Sequence, residues 1–228
     1  MPLLLAVDTS TSAVTVALHD GHEVLAEATT LDARRHTELV SAGMAHVLTD
    51  SGRRADEVTQ VVVGTGPGPF TGLRVGLVSA RVFAFARGIP VGGVCSLDIL
   101  AYQAWQDGDS GLGSLVVATD ARRGEVYTAR YAVSAGGIQR LTEPSVEKPE
   151  ILAAGLSGAR VVGRGALLYA RLLDPAGDGA DPLDVRAGSL ASLAVETLTR
   201  GGSLLPPDPM YLRRPDVAAA TARKSVLS

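Results

Sequence analysis

The sequence holds one cysteine, Cys95, among 228 residues. An intramolecular disulfide is therefore excluded, which suits a reducing compartment, and the simplest reading of Cys95 is a buried thiol. Aromatic side chains make up only 4% of the chain, so its core must be built from Leu, Val and Ala. No run of about 20 uninterrupted apolar residues occurs, and no membrane span is expected. The start, Met1-Pro2-Leu3-Leu4-Leu5, has no basic flank and reaches Asp8 too early for a secretory signal, so a cytoplasmic protein is expected. Histidines are scarce: His19, His22, His36 and His46 contain no metal pair at helical i, i+4 spacing. There is no Gly-x-Ser-x-Gly nucleophile elbow, and Cys95 has no sequence neighbour that would lower its pKa. An excess of positive charge is missing too. The formal net charge is -3, so the chain is not expected to hold RNA alone. The pairs Arg34–Arg35, Arg53–Arg54, Arg122–Arg123 and Arg213–Arg214 are either solvated loop charge or contributors within a larger assembly.

What is present is glycine and a regular apolar pattern. Leu3 to Val7 is an apolar run, followed by the polar turn Asp8-Thr9-Ser10-Thr11-Ser12. Ala13 to Leu18 alternates as a half-buried strand, Asp20-Gly21 signals a two-residue hairpin, and Val24 to Thr30 returns. In the next helix, His36–Asp50, residues Leu39, Val40, Gly43, Met44, Val47 and Leu48 form one stripe, with Gly52 as its stop. Val58 to Val63 reads as a buried strand and runs into Gly64-Thr65-Gly66-Pro67-Gly68-Pro69-Phe70-Thr71-Gly72, with Thr71 as a natural helix cap. The helix Gly72–Arg87 is apolar on most sides. Leu73 and Leu77 fall on one side and Val78, Val82 and Phe85 on another, so the helix is either central in the fold or met by another chain. Gly76, Ala80 and Ala84 make a small-residue row along it. Val91 to Val94 reads as a strand and Leu97 to Trp105 as a helix, after which Asp107-Gly108-Asp109-Ser110-Gly111 marks a lobe boundary. Beyond it come a strand Leu115 to Thr119, the turn Asp120-Ala121-Arg122-Arg123-Gly124 and a strand Glu125 to Val133. A strand near Arg160 to Gly163 and helices at Leu167 to Leu173 and Leu190 to Arg200 follow, with a mobile tail over Val217–Ser228. The order implies mixed α/β in two lobes, residues 1–106 and 107–228.

Two segments invite a phosphate reading. The glycine segment has no Gly-Lys-Ser/Thr ending and lacks the third glycine of the dinucleotide fingerprint. Pro67 and Pro69 also remove two backbone donors. The amides of Gly72 and Leu73 remain, so a structural turn and an anion cradle both stand. Asp8, Thr9, Ser10 and Thr11, between two strands, resemble the phosphate-binding hairpin of actin-like ATPases.

Four segments together resemble one family, the TsaB (YeaZ) proteins, in order and spacing. They are Leu5-Ala6-Val7-Asp8-Thr9-Ser10, the run from Val62 to Gly76, Asp120-Ala121-Arg122-Arg123-Gly124-Glu125-Val126-Tyr127, and Pro209-Met210-Tyr211-Leu212-Arg213. The resemblance implies an actin-like (ASKHA, ribonuclease H-like) fold. It also implies a non-catalytic scaffolding or activating role in making threonylcarbamoyladenosine in tRNA. A catalytic TsaD-type paralogue and a TsaE-type ATPase would be its partners, and a second copy when the chain is alone. tRNA would be met only through the complex. The chain is expected to hold no cofactor or metal of its own, with ATP or ADP only at an interface of the complex. TsaD-type sequences carry a metal-binding His-x-x-x-His where this chain has Cys95-Ser96-Leu97-Asp98-Ile99, and that run cannot replace two imidazoles. His36 sits where catalytic relatives tend to carry a histidine, and it is not given a catalytic role. The partner face is expected on Val40, Met44, Leu73, Gly76, Leu77, Ala80 and Ala84. The rival readings are a stand-alone actin-fold ATPase or small-molecule kinase using Asp8 and Asp120, and a metallopeptidase, which the missing histidine pair disfavours.

Overall fold

The computed structural model describes residues 2–31, 36–108, 113–174 and 179–213. The first sheet has the order β3-β2-β1-β4-β5. β1 (Leu4–Asp8) pairs antiparallel with β2 (Ala13–His19), and β2 with β3 (Val24–Leu31). On its other side β1 runs parallel to β4 (Gln60–Gly64), and β4 to β5 (Val91–Val94). Parallel neighbours need crossovers, and these are helical: α1 (His36–Asp50) before β4 and α2 (Phe70–Arg87) before β5. α3 (Ser96–Gln106) then leads to the second sheet.

The second sheet repeats the plan in shortened form. β6 (Gly113–Asp120) pairs antiparallel with β7 (Val126–Ser134), and β7 with β8 (Gly137–Arg140) and β9 (Ser145–Glu147). After α4 (Pro149–Ala154), β10 (Arg160–Val162) lies parallel to β6. α5 (Arg164–Leu168), α6 (Ala170–Leu173) and α7 (Ala187–Thr199) complete the described elements. A mixed sheet with three antiparallel strands followed by parallel additions, used twice with helices between, is the actin-like architecture.

Side-chain alternation in β1 explains the layering. Leu5 and Val7 point outward and pack with Val40, Met44 and Val47 of α1. Leu4 and Ala6 point inward to a core shared with Leu97, Ile99 and Leu100 of α3, Leu190 and Ala191 of α7, and Leu115, Val117 and Tyr131 of the second sheet. The far face of that sheet carries Val116, Ala118 and Val161 against α4, α5 and α6. The strands of the two sheets fall on either side of residue 106, but α7, from the second half, packs on β1 and β2.

Several local expectations change. The alternation of Thr15 and Ala17 with apolar residues predicts a half-buried β2, yet every residue in it is buried. The reason is α7: Thr15 Oγ1 accepts the Ala187 N–H at 3.0 Å, so the polar position serves as a helix anchor. The Asp20-Gly21 turn spans 20–23, closed by Asp20 Oδ1 accepting from the His22 and Glu23 amides at 2.8 and 2.9 Å. Thr71 is not the cap of α2. The helix begins at Phe70 after Pro69, whose carbonyl accepts from Leu73 N at 2.9 Å. β8, β9 and α4 had no counterpart in the pattern. The side chain of His36, the pair Arg34–Arg35, Arg214 and the tail Val217–Ser228 lie outside the described residues. No helix among those described is long and apolar enough to cross a membrane.

Candidate functional site

Asp8 ends β1 and is fully buried. Its Oδ1 accepts from Ser10 N at 2.7 Å and Ser10 Oγ at 2.8 Å, and its Oδ2 accepts from Ser96 Oγ at 2.8 Å. Burial raises its pKa above the ordinary carboxylate value, partly opposed by those hydrogen bonds. Thr9 Oγ1 donates to the Gly72 carbonyl at 2.7 Å and accepts from Gly76 N at 3.0 Å, tying the turn to the first turns of α2. Thr9 and Ser10 are buried as well.

These contacts explain the glycines. A Cβ at Gly64 would overlap the Asp8 carboxylate, at Gly68 the Ser10 carbonyl, and at Gly76 the Thr9 hydroxyl. The segment is glycine-rich because the Asp8–Ser10 turn lies directly on it. Of the two readings left open, the structural turn accounts for Asp8, Thr9, Ser10 and Gly72. Their polar groups are turned onto one another instead of toward a ligand. Beside Thr11, the gap between the turn and Asp120 is a cavity of about 20 Å³, roughly one water in capacity. Arg164 closes it, paired with Asp184 at 2.6 Å, and Asp184 also accepts from Ser12 N at 3.1 Å.

The expected partner face requires correction. Val40, Met44, Leu73, Gly76, Leu77, Ala80 and Ala84 are all buried within the chain itself. Leu73, Leu77, Ala80 and Ala84 pack with Val61 and Val63 of β4, and Val40 and Met44 with β1 and β2. The small-residue row lets α2 approach the sheet closely, not a second helix. The face of α2 left exposed carries Val78, Val82 and Phe85, which are 58%, 61% and 89% exposed. They sit at i, i+4 and i+7, one stripe of the helix.

A larger cavity lies where three distant segments meet. The chain after α7 forms a bridge from Leu205 to Gly93, with amides and carbonyls exchanged at 2.7 and 2.9 Å. Met210 N then donates to Thr65 O at 2.8 Å. Tyr211 stacks on Phe70 with centroids 5.1 Å apart, and Arg74 lies 3.7 Å over the Phe70 ring while its Nε donates to the Tyr211 hydroxyl at 2.6 Å. Arg213 reaches the turn between β6 and β7, where it donates to Ala121 O at 2.9 Å and pairs with Glu125. The cavity has about 550 Å³ and is walled by Phe70, Arg122, Arg123, Tyr127, Tyr211 and Arg213, among others. Arg122 and Arg123 adopt left-handed backbone, φ 62 and 57, followed by Gly124 at φ 73. Non-glycine residues there cost on the order of 1–3 kcal/mol each. Asp120 Oδ1 pins the turn by accepting from Arg122 N at 2.7 Å, and the Ala121–Glu125 backbone bond closes it. Sequence reasoning named each segment but missed their convergence.

Cys95 is buried at the start of α3, and burial pushes its thiol up to about 12. Asp98, three residues on, accepts from Tyr131 OH at 2.8 Å and pairs with Arg140 at 3.0 Å. No group of three or more His, Cys, Asp or Glu among the described residues is arranged to hold a metal ion.

The family model for TsaD, tRNA N6-adenosine threonylcarbamoyltransferase, matches residues 23–221. A protein of Mycobacterium bovis is 39% identical over 217 residues, covering 93% of this chain and 92% of its own length. A Mycobacterium leprae relative is also 39% identical, but the match spans only 58% of it. The Escherichia coli tRNA threonylcarbamoyladenosine biosynthesis protein TsaB is 37% identical over 65% of this chain and 64% of its own. Among solved structures, YeaZ from Pseudomonas aeruginosa superposes with a TM-score of 0.77 at 30% identity, covering 93% of this chain and all of that one. With the glycine segment, the Asp-Ala-Arg turn and both sheets accounted for along nearly its whole length, the chain belongs to the TsaB (YeaZ) family, within the wider group that the TsaD model describes.

Proposed function

We propose that this chain acts in the cytoplasm as a non-catalytic subunit in the synthesis of threonylcarbamoyladenosine in tRNA. It pairs with a TsaD-type catalytic subunit and works with a TsaE-type ATPase, and nucleotide is bound only at an interface of that complex. The single observation that carries this reading is the pairing of a TsaB-type fold with an exposed apolar stripe on α2, Val78, Val82 and Phe85, where the sequence had pointed to the opposite face. Burying Phe85 alone is worth about 1.5–3 kcal/mol, and the whole stripe roughly twice that. A TsaD-type chain of the same fold is the occupant, and a second copy takes its place when the chain is alone.

The non-catalytic part is supported by chemistry. Cys95 is a buried, protonated thiol, Asp98 is committed to Tyr131 and Arg140, and Asp8 is committed to Ser10 and Ser96. Cys95 and Asp98 border a cavity of about 260 Å³ together with Tyr131 and Arg140, and there the thiol stays protonated while the carboxylate is engaged by its two partners.

The test is co-purification of the chain with its TsaD-type partner, with Phe85→Arg and Val82→Arg compared with the wild type. Loss of pairing with a native circular dichroism spectrum supports the reading. Undiminished pairing in the double variant would remove the α2 stripe as the contact.

A further inference from the structure

We propose that the segment from Leu204 to Arg213 is a strap that couples the partner face of α2 to the second sheet, so that the TsaD-type partner binds more tightly while the strap is seated. The proposal rests on the pairing proposed above. It goes further in naming a device within this chain that regulates that pairing.

The strap has a seat built for it. Leu205 exchanges backbone hydrogen bonds with Gly93 on β5, the edge strand of the first sheet. A Cβ at Gly92 would overlap the Leu204 side chain, and one at Gly93 would press on the Pro206 carbonyl. Successive glycines weaken a strand as short as Val91–Val94. Here their missing side chains are the space the strap occupies. Met210 N then donates to Thr65 O at 2.8 Å, which holds the strap along the end of β4.

The next anchors lie on α2 beside the exposed apolar stripe. Arg74 is four residues before Val78, and Arg81 is three after it and four before Phe85. Both arginines are therefore surface neighbours of the stripe, and a partner laid on Val78, Val82 and Phe85 meets them. With the strap seated, both are engaged. Arg74 lies over the Phe70 ring with its Nε donating to the Tyr211 hydroxyl at 2.6 Å, and Arg81 pairs with Asp208 at 3.3 Å. With the strap away, Arg74 loses that hydroxyl and Arg81 loses its carboxylate. The partner would then cover cations deprived of these strap contacts, which is costly. This difference between the two states is what lets the partner favour the seated one.

The far end ties the strap to the second sheet. Only Leu212 separates Tyr211 from Arg213, so there is little slack between the stack on Phe70 and the Arg213 anchor on Ala121 and Glu125. Loosening one end loosens the other.

Two variants release the strap at different points. Tyr211→Ala removes the stack on Phe70 and the acceptor for Arg74. Arg213→Gln frees the anchor on the β6–β7 turn without touching α2. Arg186→Gln, which cuts an exposed ion pair to Asp107 between α3 and α7, is the control for a general loss of stability. Affinity for the full-length TsaD-type partner is measured by titration calorimetry. Hydrogen exchange is followed at the Gly93, Leu205 and Met210 amides, in the free chain and in the pair. Both strap variants should weaken pairing by about fivefold or more, with the control unchanged. Linkage is reciprocal, so pairing should slow exchange at those amides by a similar factor. Unchanged affinity in Arg213→Gln, or unchanged exchange on pairing, would overturn the coupling while leaving the proposed function standing. A loss confined to Tyr211→Ala would make Tyr211 a direct partner contact and overturn it equally, as would an equal loss in the control. A wild-type chain that does not pair at all overturns both.

Discussion

Replacing Gly64 with alanine tests the claim that the glycine segment exists to accept the Asp8 turn. The new methyl would overlap Asp8 Oδ2, with Ser96 Oγ only 2.9 Å away. The serine hydroxyl can rotate, but the carboxylate cannot move without breaking its bonds to Ser10 N, Ser10 Oγ and Ser96 Oγ. Hydrogen bonds to a charged group are worth about 1.5–3 kcal/mol each, and losing two leaves a buried carboxyl unsatisfied. The expected cost is about 3–5 kcal/mol, a large fraction of the ~5–15 kcal/mol typical of a domain. Urea unfolding at constant m-value reads it directly. A double-mutant cycle isolates the cause. In an Asp8→Ala background the methyl has space, so Gly64→Ala should cost under about 1 kcal/mol, giving a coupling energy near 3 kcal/mol. A Gly64→Ala protein within about 1 kcal/mol of wild type, or an equal cost in both backgrounds, would refute the packing argument.

Ala80→Arg should unfold the chain, because Ala80 is fully buried against β4, whereas Val82→Arg should leave stability within about 0.5 kcal/mol; thermal melts of the two variants distinguish the buried face from the exposed one. Asp8 has a raised folded pKa, so the folded state holds its proton more tightly and stability falls as pH rises from the ordinary value of 3.8 through the folded pKa. The stability difference between wild type and Asp8→Asn should therefore decline over that window, by up to about 1.4 kcal/mol per pH unit, and a rise instead would reverse the assignment of burial as the dominant cause. Cys95, buried with its thiol pushed up to about 12, should resist iodoacetamide in the native protein and react at the rate of a free thiol in urea; rapid native alkylation would contradict it.

Much of the first sheet was legible because its signals are local. The apolar run at Leu3–Val7 and the stripe of α1 fix their elements from neighbouring residues alone. The orientation of α2 was not legible. Its sequence is apolar on two sides, and periodicity cannot say which side meets the sheet. The small row Gly76, Ala80 and Ala84 correctly signalled a close approach, but the approaching surface was β4 and Thr9, not another helix. Thr15 misled for a related reason: a hydroxyl in a strand looks solvent-facing until a helix from ~170 residues later donates to it. The cavity beside the Arg122–Arg123 turn was hidden by distance. Arg122–Arg123, Phe70 and Tyr211–Arg213 each read as an isolated loop feature, and only the strap through Leu205 and Met210 brings them together. Local patterns carry no information about such a meeting.

The most direct measurement is threonylcarbamoyl transfer to tRNA by TsaD-type and TsaE-type proteins from the same organism, supplied with the enzyme that makes the threonylcarbamoyl donor, with no addition, with this chain, and with its Phe85→Arg variant. Transfer that appears with the wild-type chain, is absent with the variant, and is absent when the chain is supplied without the TsaD-type protein is the predicted result. Transfer at the same rate without the chain, or by the chain without that partner, would contradict a non-catalytic activating role.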